Sequence, residues 1–356
     1  MEKILVLNPG STSTKIAFFD GAQEQWKESI THSREELKVY AKVTDQLDFR
    51  YALVVKAMAE HGVSAADLAR VASRGGPFAP VHAGAYEVND AMCEKICTDP
   101  LDPHASLLGA LIAKKIADDA GIKAYIYDAV SVDELLPICR ITGVPELPRE
   151  IKGHNLNMRA AALRLCREEG WNYNEKNIIV AHLGGGISVS LQQQGRVVDI
   201  ALDDDGPFAP ERAGLLSTIQ VVTKIANGEL DIPTVKKLCK GSGGLVAWLG
   251  TNDSREVEAM IANGDEKAKL VYEAMALNVA KAIGRLAPVC CGKVDRIILT
   301  GGIAYSKNFT AMITERVDWI APVTVLAGEN EMQSLAEGAL RVLHGEETAR
   351  LYPDAD

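Results

Sequence analysis

The sequence predicts an α/β protein built from two copies of one structural unit. Its 356 residues exceed what one ordinary hydrophobic core accommodates, which favours two domains. Apolar patterns of helical and strand period alternate along the chain, as in folds whose helices cover both faces of a sheet. The third observation is an internal repeat. Residues 3–23 (KILVLNPGSTSTKIAFFDGAQ) align without a gap with residues 177–197 (NIIVAHLGGGISVSLQQQGRV), at an offset of 174.

Each copy of the repeat reads as three strands joined by two glycine-containing turns. Apolar residues alternate within each strand, and the alignment matches Gly10 with Gly184 and Gly21 with Gly195. Backbone N–H groups in such turns form anion-binding nests, and glycine lets the backbone approach a phosphate closely. Two such turns suit a polyphosphate ligand. The alternative is a pair of ordinary hairpins with glycine at the bend.

The remaining elements follow from periodicity. Helices are predicted near 51–61, 105–120, 155–169, 268–288 and 333–344, and strands at 123–127, 178–181 and 294–300. Pro145 and Pro148 break the chain before a new helix. We therefore expect a first domain at 1–149 and a second at 150–333 that carries most of the nucleotide site. A C-terminal helix at about 334–356 should pack back onto the first domain.

Composition narrows the class of function. Apolar residues make up 47% of the chain and charged residues 24%, which is typical of a folded globular protein. The net charge of −10 argues against nucleic acid or an anionic membrane as a partner. The most apolar stretch, 277–291, is interrupted by Lys281 and Arg285, so no membrane span is expected. The opening residues resemble no secretory leader, and the seven cysteines are an odd number. We therefore expect reduced thiols and a cytoplasmic protein.

Common nucleotide motifs are missing from the sequence. It contains neither G-x-x-x-x-G-K-[ST] nor G-x-G-x-x-G, so a P-loop, a dinucleotide fingerprint and a protein-kinase glycine loop are all excluded. A nucleotide must then be held by the two glycine turns and a third element. The stretch ILTGGIA (298–304), an apolar strand ending in Gly301-Gly302, is a suitable place for a purine or ribose.

The motifs together resemble those of the superfamily of acetate and sugar kinases, heat-shock chaperones and actin, and within it the acetokinase family. The most specific motifs are LNPGSTSTK (7–15), YDAVSVDELLP (127–137), KGHNLNMRAAA (152–162), AHLGGGISV (181–189) and GGLVAWLGTNDSREV (243–257). The resemblance covers essentially the whole chain. It implies a duplicated RNase H-like (actin-like ATPase) fold, with two similar domains flanking a nucleotide cleft. It also implies reversible, Mg²⁺-dependent phosphoryl transfer between ATP and a short-chain carboxylate, such as butyrate or a branched-chain relative.

A carboxylate acceptor sets particular demands on the site. A carboxylic acid with a pKa near that of Glu, about 4.3, is ionised at pH 7, so the nucleophile needs no general base. The obstacle is the approach of one anion to another. Positioning and charge stabilisation therefore carry the reaction, and we expect a site rich in Arg, His and Mg²⁺.

The resemblance assigns four catalytic residues. Arg74, in ASRGGPF, binds the substrate carboxylate or the phosphoryl group, and Arg212, in DGPFAPERAG, is a second phosphoryl clamp. His154, in KGHNLNMR, donates to an equatorial oxygen of the transition state. Asp128, which ends the strand AYIYDA, binds Mg²⁺ or orients an arginine. For the arginines and the histidine, the alternative is an ordinary surface or core role.

The resemblance also assigns nucleotide and metal contacts. The nucleotide residues are Asn8, Ser11, Ser13 and Lys15 in the opening loop, His182 and Gly184, Gly185 and Gly186 in the second loop, and Asp253, Ser254, Arg255 and Gly302 around adenosine. The metal ligands are Asn8, Asp128 and Glu331, with Glu329 or Asn330 as alternatives to Glu331. Lys15 could instead face solvent. The run 203–205 of three aspartates reads as a solvated acidic loop rather than a metal cluster.

The size of the acid is predicted from two glycines. Gly153 and Gly76 stand where acetate-specific relatives carry a bulky aromatic residue and a valine. Their small size should open a pocket for a longer acyl chain, with Leu107 and Pro207 lining the rest. Each buried methylene contributes about 0.8 kcal/mol, which favours three or four carbons over two.

Three other readings stay open. One is acetate or propionate as the acid. Another is a sugar or polyol kinase that uses Asp128 as its base, and the third is a nucleotide-switched binding protein. A homodimer or larger homo-oligomer fits the family, and the apolar helix at 268–288 is a candidate interface that core burial explains equally well.

Overall fold

A computed structural model describes residues 2–151, 153–202 and 205–354. The chain forms two compact units. The first contains the residues up to Asp133 and those from Asn330 onward, and the second contains residues 134–329. Asp203 and Asp204 of the predicted acidic loop lie outside the described residues. Within the described part of the chain, no helix combines the length and the apolar character needed to cross a membrane.

The strands are short and mostly buried. In chain order they are β1 (Lys3–Pro9), β2 (Ser13–Asp20), β3 (Gln23–Thr31), β4 (Arg70–Arg74), β5 (Ala85–Glu87), β6 (Lys123–Tyr127), β7 (Asn177–Leu183), β8 (Ile187–Gln193), β9 (Arg196–Ala201), β10 (Arg296–Gly301), β11 (Val323–Ala327) and β12 (Arg350–Leu351).

The helices connect and cover these strands. They are α1 (Arg34–Leu37), α2 (Leu47–Glu60), α3 (Asp90–Thr98), α4 (Leu108–Ala120), α5 (Pro137–Arg140), α6 (Asn155–Glu169), α7 (Thr218–Ala226), α8 (Ile232–Cys239), α9 (Gly244–Leu249), α10 (Ser254–Ala262), α11 (Glu266–Leu286), α12 (Lys307–Val317) and α13 (Glu331–Leu343). The five helices and three strands predicted from periodicity are all present. The helix at 155–169 and the strand at 123–127 also have the predicted ends.

Five strands of the first sheet and all five strands of the second have the same topology. The strand order is β12-β5-β6-β4-β1-β2-β3 in the first unit and β11-β10-β7-β8-β9 in the second. In the first sheet, β1 pairs antiparallel with β2 and parallel with β4. In the second sheet, β7 pairs antiparallel with β8 and parallel with β10. The series β3-β2-β1-β4-β6 thus corresponds to β9-β8-β7-β10-β11 in order and direction. This duplication confirms the predicted fold class.

Strand register corrects the gapless alignment of the repeat. Asn8 and His182 are 174 residues apart, but their pairing partners, Lys15 and Ser188, are 173 apart. The second glycine turn is therefore one residue shorter than the first, and every later position shifts by one.

An irregularity in strand pairing supports the shifted alignment. The β2–β3 register slips between Phe18 and Phe19, and the β8–β9 register slips between Leu191 and Gln192. At the new offset of 173, Gly21 corresponds to Gln194 rather than to Gly195. Both residues have a positive φ, 57° and 51°. The turn between β8 and β9 thus keeps the backbone shape of the turn between β2 and β3, although it has no glycine at the position that corresponds to Gly21.

Core packing explains why β7 carries apolar residues on both of its faces. In β7, Ile179 and Ala181 belong to a core cluster with α11, whereas Ile178 and Val180 belong to one with α6. A strand buried on both faces reads as a continuous apolar run. Helix α11 buries Val271, Tyr272, Met275, Val279 and Ile283 in the first of these clusters. Core burial therefore accounts for the apolar face proposed as an interface.

The segment after Asp133 groups with the second unit. Leu136 N donates to Val198 O at 3.0 Å, and Glu134 Oε2 accepts from Val197 N at 2.8 Å. The compact units thus divide before Glu134 instead of after 149, and α13 begins at Glu331 within the first unit. The expected limits of the functional domains stay a prediction.

Candidate active site

The carboxyl ends of β1 and β4 form the first cluster of polar residues. These strands are parallel neighbours, with Leu7 opposite Ser73, so their last residues lie side by side. Asn8 Nδ2 donates to Glu331 Oε2 at 2.6 Å, and Arg74 Nη1 lies 3.0 Å from Glu331 Oε1. The structure therefore brings together Asn8, Arg74 and Glu331, three residues that the sequence singled out.

Arg74 retains a donor that the protein does not use. Its Nε is buried and has no hydrogen-bond partner among the described residues. A buried, unsatisfied N–H of a cation costs free energy. The Nε atoms of Arg70 and Arg296 share this feature, so it does not by itself mark Arg74 as a ligand-binding residue.

Asp128 follows β6 in a strained backbone conformation. Its φ is +43°, a region that non-glycine residues seldom adopt, and its side chain is buried. Its Oδ1 accepts from Gly84 N at 2.7 Å, and its own N donates to Gly84 O at 3.1 Å. The carboxylate lies at the predicted strand end, with one oxygen held by a backbone amide.

The opening turn is organised by a residue that the sequence analysis missed. Arg50, on α2, is fully buried. It donates to the carbonyl oxygens of Gly10, Ser11 and Ser13. A signal was present in the sequence, because Arg50 shares the buried face of α2 with apolar residues at helical spacing. Lys15 is exposed on β2.

The second glycine turn, 184–186, is surrounded by functional side chains. A Cβ at Gly186 would lie 2.3 Å from Arg212 Nη1, and one at Gly184 would lie 2.9 Å from His182 Nε2. Glu211 N donates to Gly185 O at 3.2 Å, which fixes the neighbouring loop against the turn. Glycine is therefore required for the close approach of these side chains.

Two histidines stack beside this turn. The rings of His154 and His182 have centroids 4.1 Å apart and planes 12° apart. His154 Nδ1 lies 2.9 Å from Ser188 Oγ, and His182 Nδ1 lies 2.8 Å from Asn157 Nδ2. His182 Nε2 lies 3.2 Å from Glu329 Oε1.

The contacts of His182 fix its tautomer. An amide nitrogen can only donate, so Nδ1 accepts from Asn157 and the ring proton is on Nε2, facing Glu329. The sequence identified both histidines. It missed Asn157 and Ser188, and it offered Glu329 only as an alternative metal ligand.

The predicted adenosine turn is held by an internal ion pair. Asp253 caps α10, and its Oδ2 lies 2.6 Å from Arg255 Nη2. Hydrogen bonds from Arg255 lower the pKa of Asp253 to about 2. Ser254 is the first residue of the helix. Near the end of β10, no atom lies within 4 Å of a Cβ placed at Gly302, so the space beside this glycine is open.

The pocket glycines do not open free space. A Cβ at Gly76 would lie 2.6 Å from Leu107 N, and one at Gly153 would lie 2.6 Å from Ile200 Cδ1. The room that each glycine leaves is occupied by backbone or side chain. An acyl pocket bordered by these two glycines stays a prediction. Pro207 is buried.

The acidic loop also differs from expectation at Asp205. Its Oδ2 accepts from Arg149 Nε at 3.0 Å and from Arg285 Nη2 at 2.8 Å, so this carboxylate is paired rather than solvated. Across the described ranges, no group of three or more His, Cys, Asp or Glu side chains could hold a metal ion. Mg²⁺ commonly needs only one or two carboxylates together with water and phosphate oxygens. Glu331 has one oxygen on Asn8 Nδ2 and the other on Arg74 Nη1, and Asn8 also carries an amide oxygen, so a metal here would replace one or both of these contacts.

Comparisons with known proteins agree with this fold. A duplicated sheet with a glycine turn after each first strand defines an actin-like ATPase fold. A crystal structure of Porphyromonas gingivalis acetate kinase matches with a TM-score of 0.79 at 18% identity, covering 96% of this chain and 100% of that one. A propionate kinase from Francisella tularensis matches with a TM-score of 0.77 at 18% identity, covering 95% and 99%.

Sequence relatives define the family. The family model described as Acetokinase family matches residues 164–336. A probable butyrate kinase 2 of Caldanaerobacter subterraneus is 47% identical over 99% of this chain and 100% of its own length. A probable butyrate kinase of Clostridium botulinum is 44% identical, over 98% and 99%. The chain belongs to the acetokinase family.

Proposed function

We propose that this protein catalyses reversible transfer of the γ-phosphoryl group of ATP to butyrate or a branched-chain relative, giving an acyl phosphate and ADP. Membership of the acetokinase family makes the chain a kinase with a carboxyl group as acceptor. The observation that carries the proposal is the position of Arg212 against the 184–186 turn, beside the stacked histidines. The relatives named as probable butyrate kinases favour butyrate over acetate.

The charges of these groups match the demands of the reaction. Arg74, at the carboxyl end of β4, binds the acid's carboxylate with its guanidinium. Arg212 binds the transferring phosphoryl group with its planar fork, and His154 donates to an equatorial oxygen. The two arginines reduce the repulsion between the two anions.

A general base has no role in this mechanism. The acid is already ionised at pH 7. Asp128, the residue that would serve as base in a sugar or polyol kinase, commits one oxygen to the amide of Gly84. The other oxygen could still act as a base, so family membership favours the carboxylate reaction over the polyol reaction.

The nucleotide and its metal use the residues at the strand ends. Asn8, through its amide oxygen, and Glu331 would hold Mg²⁺, with Asp128 as a further ligand or as an orienting carboxylate. The metal, when bound, neutralises phosphate charge and supplies Lewis acidity. The amides of both glycine turns bind phosphate oxygens, as do His182, Ser11, Ser13 and Lys15. Asp253, Ser254, Arg255 and Gly302 lie around adenosine.

A hydroxamate assay for acyl phosphate tests the proposal. Purified protein with Mg·ATP would be offered acids from acetate to hexanoate, together with isobutyrate and isovalerate. We expect product formation to peak at four or five carbons. A peak at acetate would keep the reaction class and contradict the acid preference. If no acid gave product, the proposed reaction would be wrong, and ADP release with glucose and glycerol would be measured next.

We also propose that the enzyme is a cytoplasmic homodimer or a larger homo-oligomer. Helices α7 and α8, and the loop before α7, expose large apolar side chains, namely Leu215, Ile219, Val222 and Ile232. Exposed apolar groups of this kind are typical of protein interfaces. Light scattering coupled to size-exclusion chromatography should give a mass at least twice that of the chain. A monomeric mass at micromolar concentration would contradict this.

A further inference from the structure

The Arg50 guanidinium lies buried behind the opening turn, 10–13. Nη1 donates to Gly10 O at 2.8 Å, Ser13 O at 3.2 Å and Thr14 Oγ1 at 3.1 Å. Nη2 donates to Ser11 O at 3.3 Å, and both Nη2 and Nε donate to Gln46 Oε1. One side chain therefore holds three carbonyl oxygens of a turn only four residues long.

The partners of Arg50 carry no charge. They are backbone carbonyls, a hydroxyl and an amide oxygen, and no carboxylate among the described residues forms an ion pair with this arginine. Burial lowers the pKa of Arg50 to about 10, so the side chain keeps its proton at pH 7. Burying a cation without a counter-ion is costly, and an apolar residue could fill the same space. Its presence points to a role beyond packing.

Peptide geometry shows what this arrangement does to the turn. In a trans peptide, the C=O of one residue and the N–H of the next point in opposite directions. Drawing the Gly10 and Ser11 carbonyls inward therefore turns the Ser11 and Thr12 amides outward. Neither amide donates to a protein group in the described structure, and both residues are exposed. Outward amides in a glycine turn form a nest for an anion, and a cation directly behind them raises the local potential.

We propose that Arg50 is a positioning residue that holds the opening turn ready for the polyphosphate of the nucleotide, and that its uncompensated charge strengthens binding there. This inference rests on the proposed function. It assigns Arg50 to nucleotide affinity and leaves the affinity for the acid unchanged. It also explains why a basic residue occupies the apolar face of α2.

Two substitutions separate charge from geometry. Gln46→Glu places a carboxylate where Arg50 already has an acceptor, so it cancels the buried charge while the guanidinium and its bonds to the turn are retained. Arg50→Lys keeps the charge but removes the planar fork that spans three carbonyls. Lys56→Gln is the matched control, because Lys56 is an exposed cation on the same helix.

For each variant, the KM for Mg·ATP, the KM for butyrate and the unfolding temperature would be measured. Calorimetry would give the Kd of Mg·ATP without any acid present. We expect Gln46→Glu and Arg50→Lys each to weaken Mg·ATP binding by about tenfold or more, with little change in the KM for butyrate. Gln46→Glu should not lower the unfolding temperature, because it adds an ion pair. Lys56→Gln should match the wild type.

The outcomes distinguish this inference from the proposed function. If both variants unfold earlier but bind Mg·ATP normally, Arg50 is only structural and the inference is wrong. An equal loss of affinity for ATP and acid would also overturn it. If the wild-type protein gives no acyl phosphate, the proposed reaction fails, and the calorimetric comparison still decides the role of Arg50. Wild-type protein that does not bind Mg·ATP would refute the inference directly.

Discussion

At the residue scale, the polar side chains of the site are held by protein neighbours. His182 lies between Asn157 and Glu329, and Glu331 contacts both Asn8 and Arg74. These contacts fix the direction of donors and the tautomer of the ring before any ligand arrives. A preorganised set of donors stabilises a developing charge better than water, which must reorient.

The first prediction concerns Arg212. Lysine keeps the charge at this position but lacks the planar fork that binds two phosphoryl oxygens at once. We expect Arg212→Lys to lower kcat about 10²- to 10³-fold, while the unfolding temperature stays unchanged. The hydroxamate assay gives the rate. Arg316→Lys, at a partly exposed position on α12, is the control and should behave as wild type. Near-normal turnover by Arg212→Lys would remove Arg212 from the catalytic set.

The second prediction concerns His32, whose protonation makes the stability of the region around the opening turn depend on pH. Burial lowers the pKa of His32 below its usual value, and Arg50 lowers it further. Its ring is 2.9 Å from Thr14 Oγ1. Since the folded-state pKa is depressed, the stabilisation is present above the unfolded pKa of about 6.5 and is lost as the pH falls.

We therefore expect the wild-type unfolding temperature to fall between pH 7.5 and pH 5, and His32→Gln to flatten that fall. His344 is the opposite case, because its hydrogen bond to Glu2 raises its pKa. The stabilisation by His344 is present at low pH and is lost as the pH rises. His344→Gln should therefore make the unfolding temperature fall more steeply between pH 7.5 and pH 5. Equal slopes in all three proteins would contradict both assignments.

At the element scale, periodicity predicted the strands and helices because each buries one face or both. The alignment of the two repeats at an offset of 174 was wrong after the first turn. It matched Gly21 with Gly195 because both are glycine, whereas strand register is set by hydrogen bonding. Side-chain partners such as Asn157 for His182 come from separate elements. Periodicity places each element but cannot tell which elements lie against each other.

The surroundings of the two pocket glycines show a related limit of the sequence. Sequence shows that Gly76 and Gly153 lack side chains, but it does not show what fills the space beside them. Leu107 and Ile200 do so in the structure. Preference for a longer acid therefore rests on the relatives. In contrast, Arg50 could have been found, because a basic residue within the apolar stripe of α2 is visible in the sequence.

The third prediction compares two glycines in similarly open space. No atom lies within 4 Å of a Cβ placed at either Gly284 or Gly62. Gly284 is inside α11, where alanine lowers the entropy of the unfolded chain, so Gly284→Ala should stabilise by about 0.5–1 kcal/mol. Gly62 follows α2 with a φ of +70°, so alanine is strained there and Gly62→Ala should destabilise. Urea unfolding measures both. Shifts of the same sign would show that backbone conformation does not decide the outcome.

At the scale of the whole molecule, the first unit depends on both ends of the chain. Strand β12 pairs with β5, and Asn89 Nδ2 donates to the carbonyl of Tyr352 at 2.6 Å. Glu347 accepts from Tyr127 and pairs with Arg341 at 3.2 Å. Glu331, the candidate metal ligand, also comes from this returning segment. The second unit is one continuous stretch of chain with its own two core clusters.

This difference predicts how fragments fold. A fragment spanning 134–329 keeps both of its core clusters, so it should unfold cooperatively by itself. A fragment spanning 1–133 loses α13 and β12, which uncovers β1 and leaves β5 as an edge strand paired only with β6, so it should show no cooperative transition. Calorimetry and near-UV circular dichroism would test both fragments, with the full chain as control. Cooperative folding of 1–133 would mean that the returning segment contributes to the site but not to the stability of the first unit. Failure of 134–329 would mean that the second unit depends on the rest of the chain.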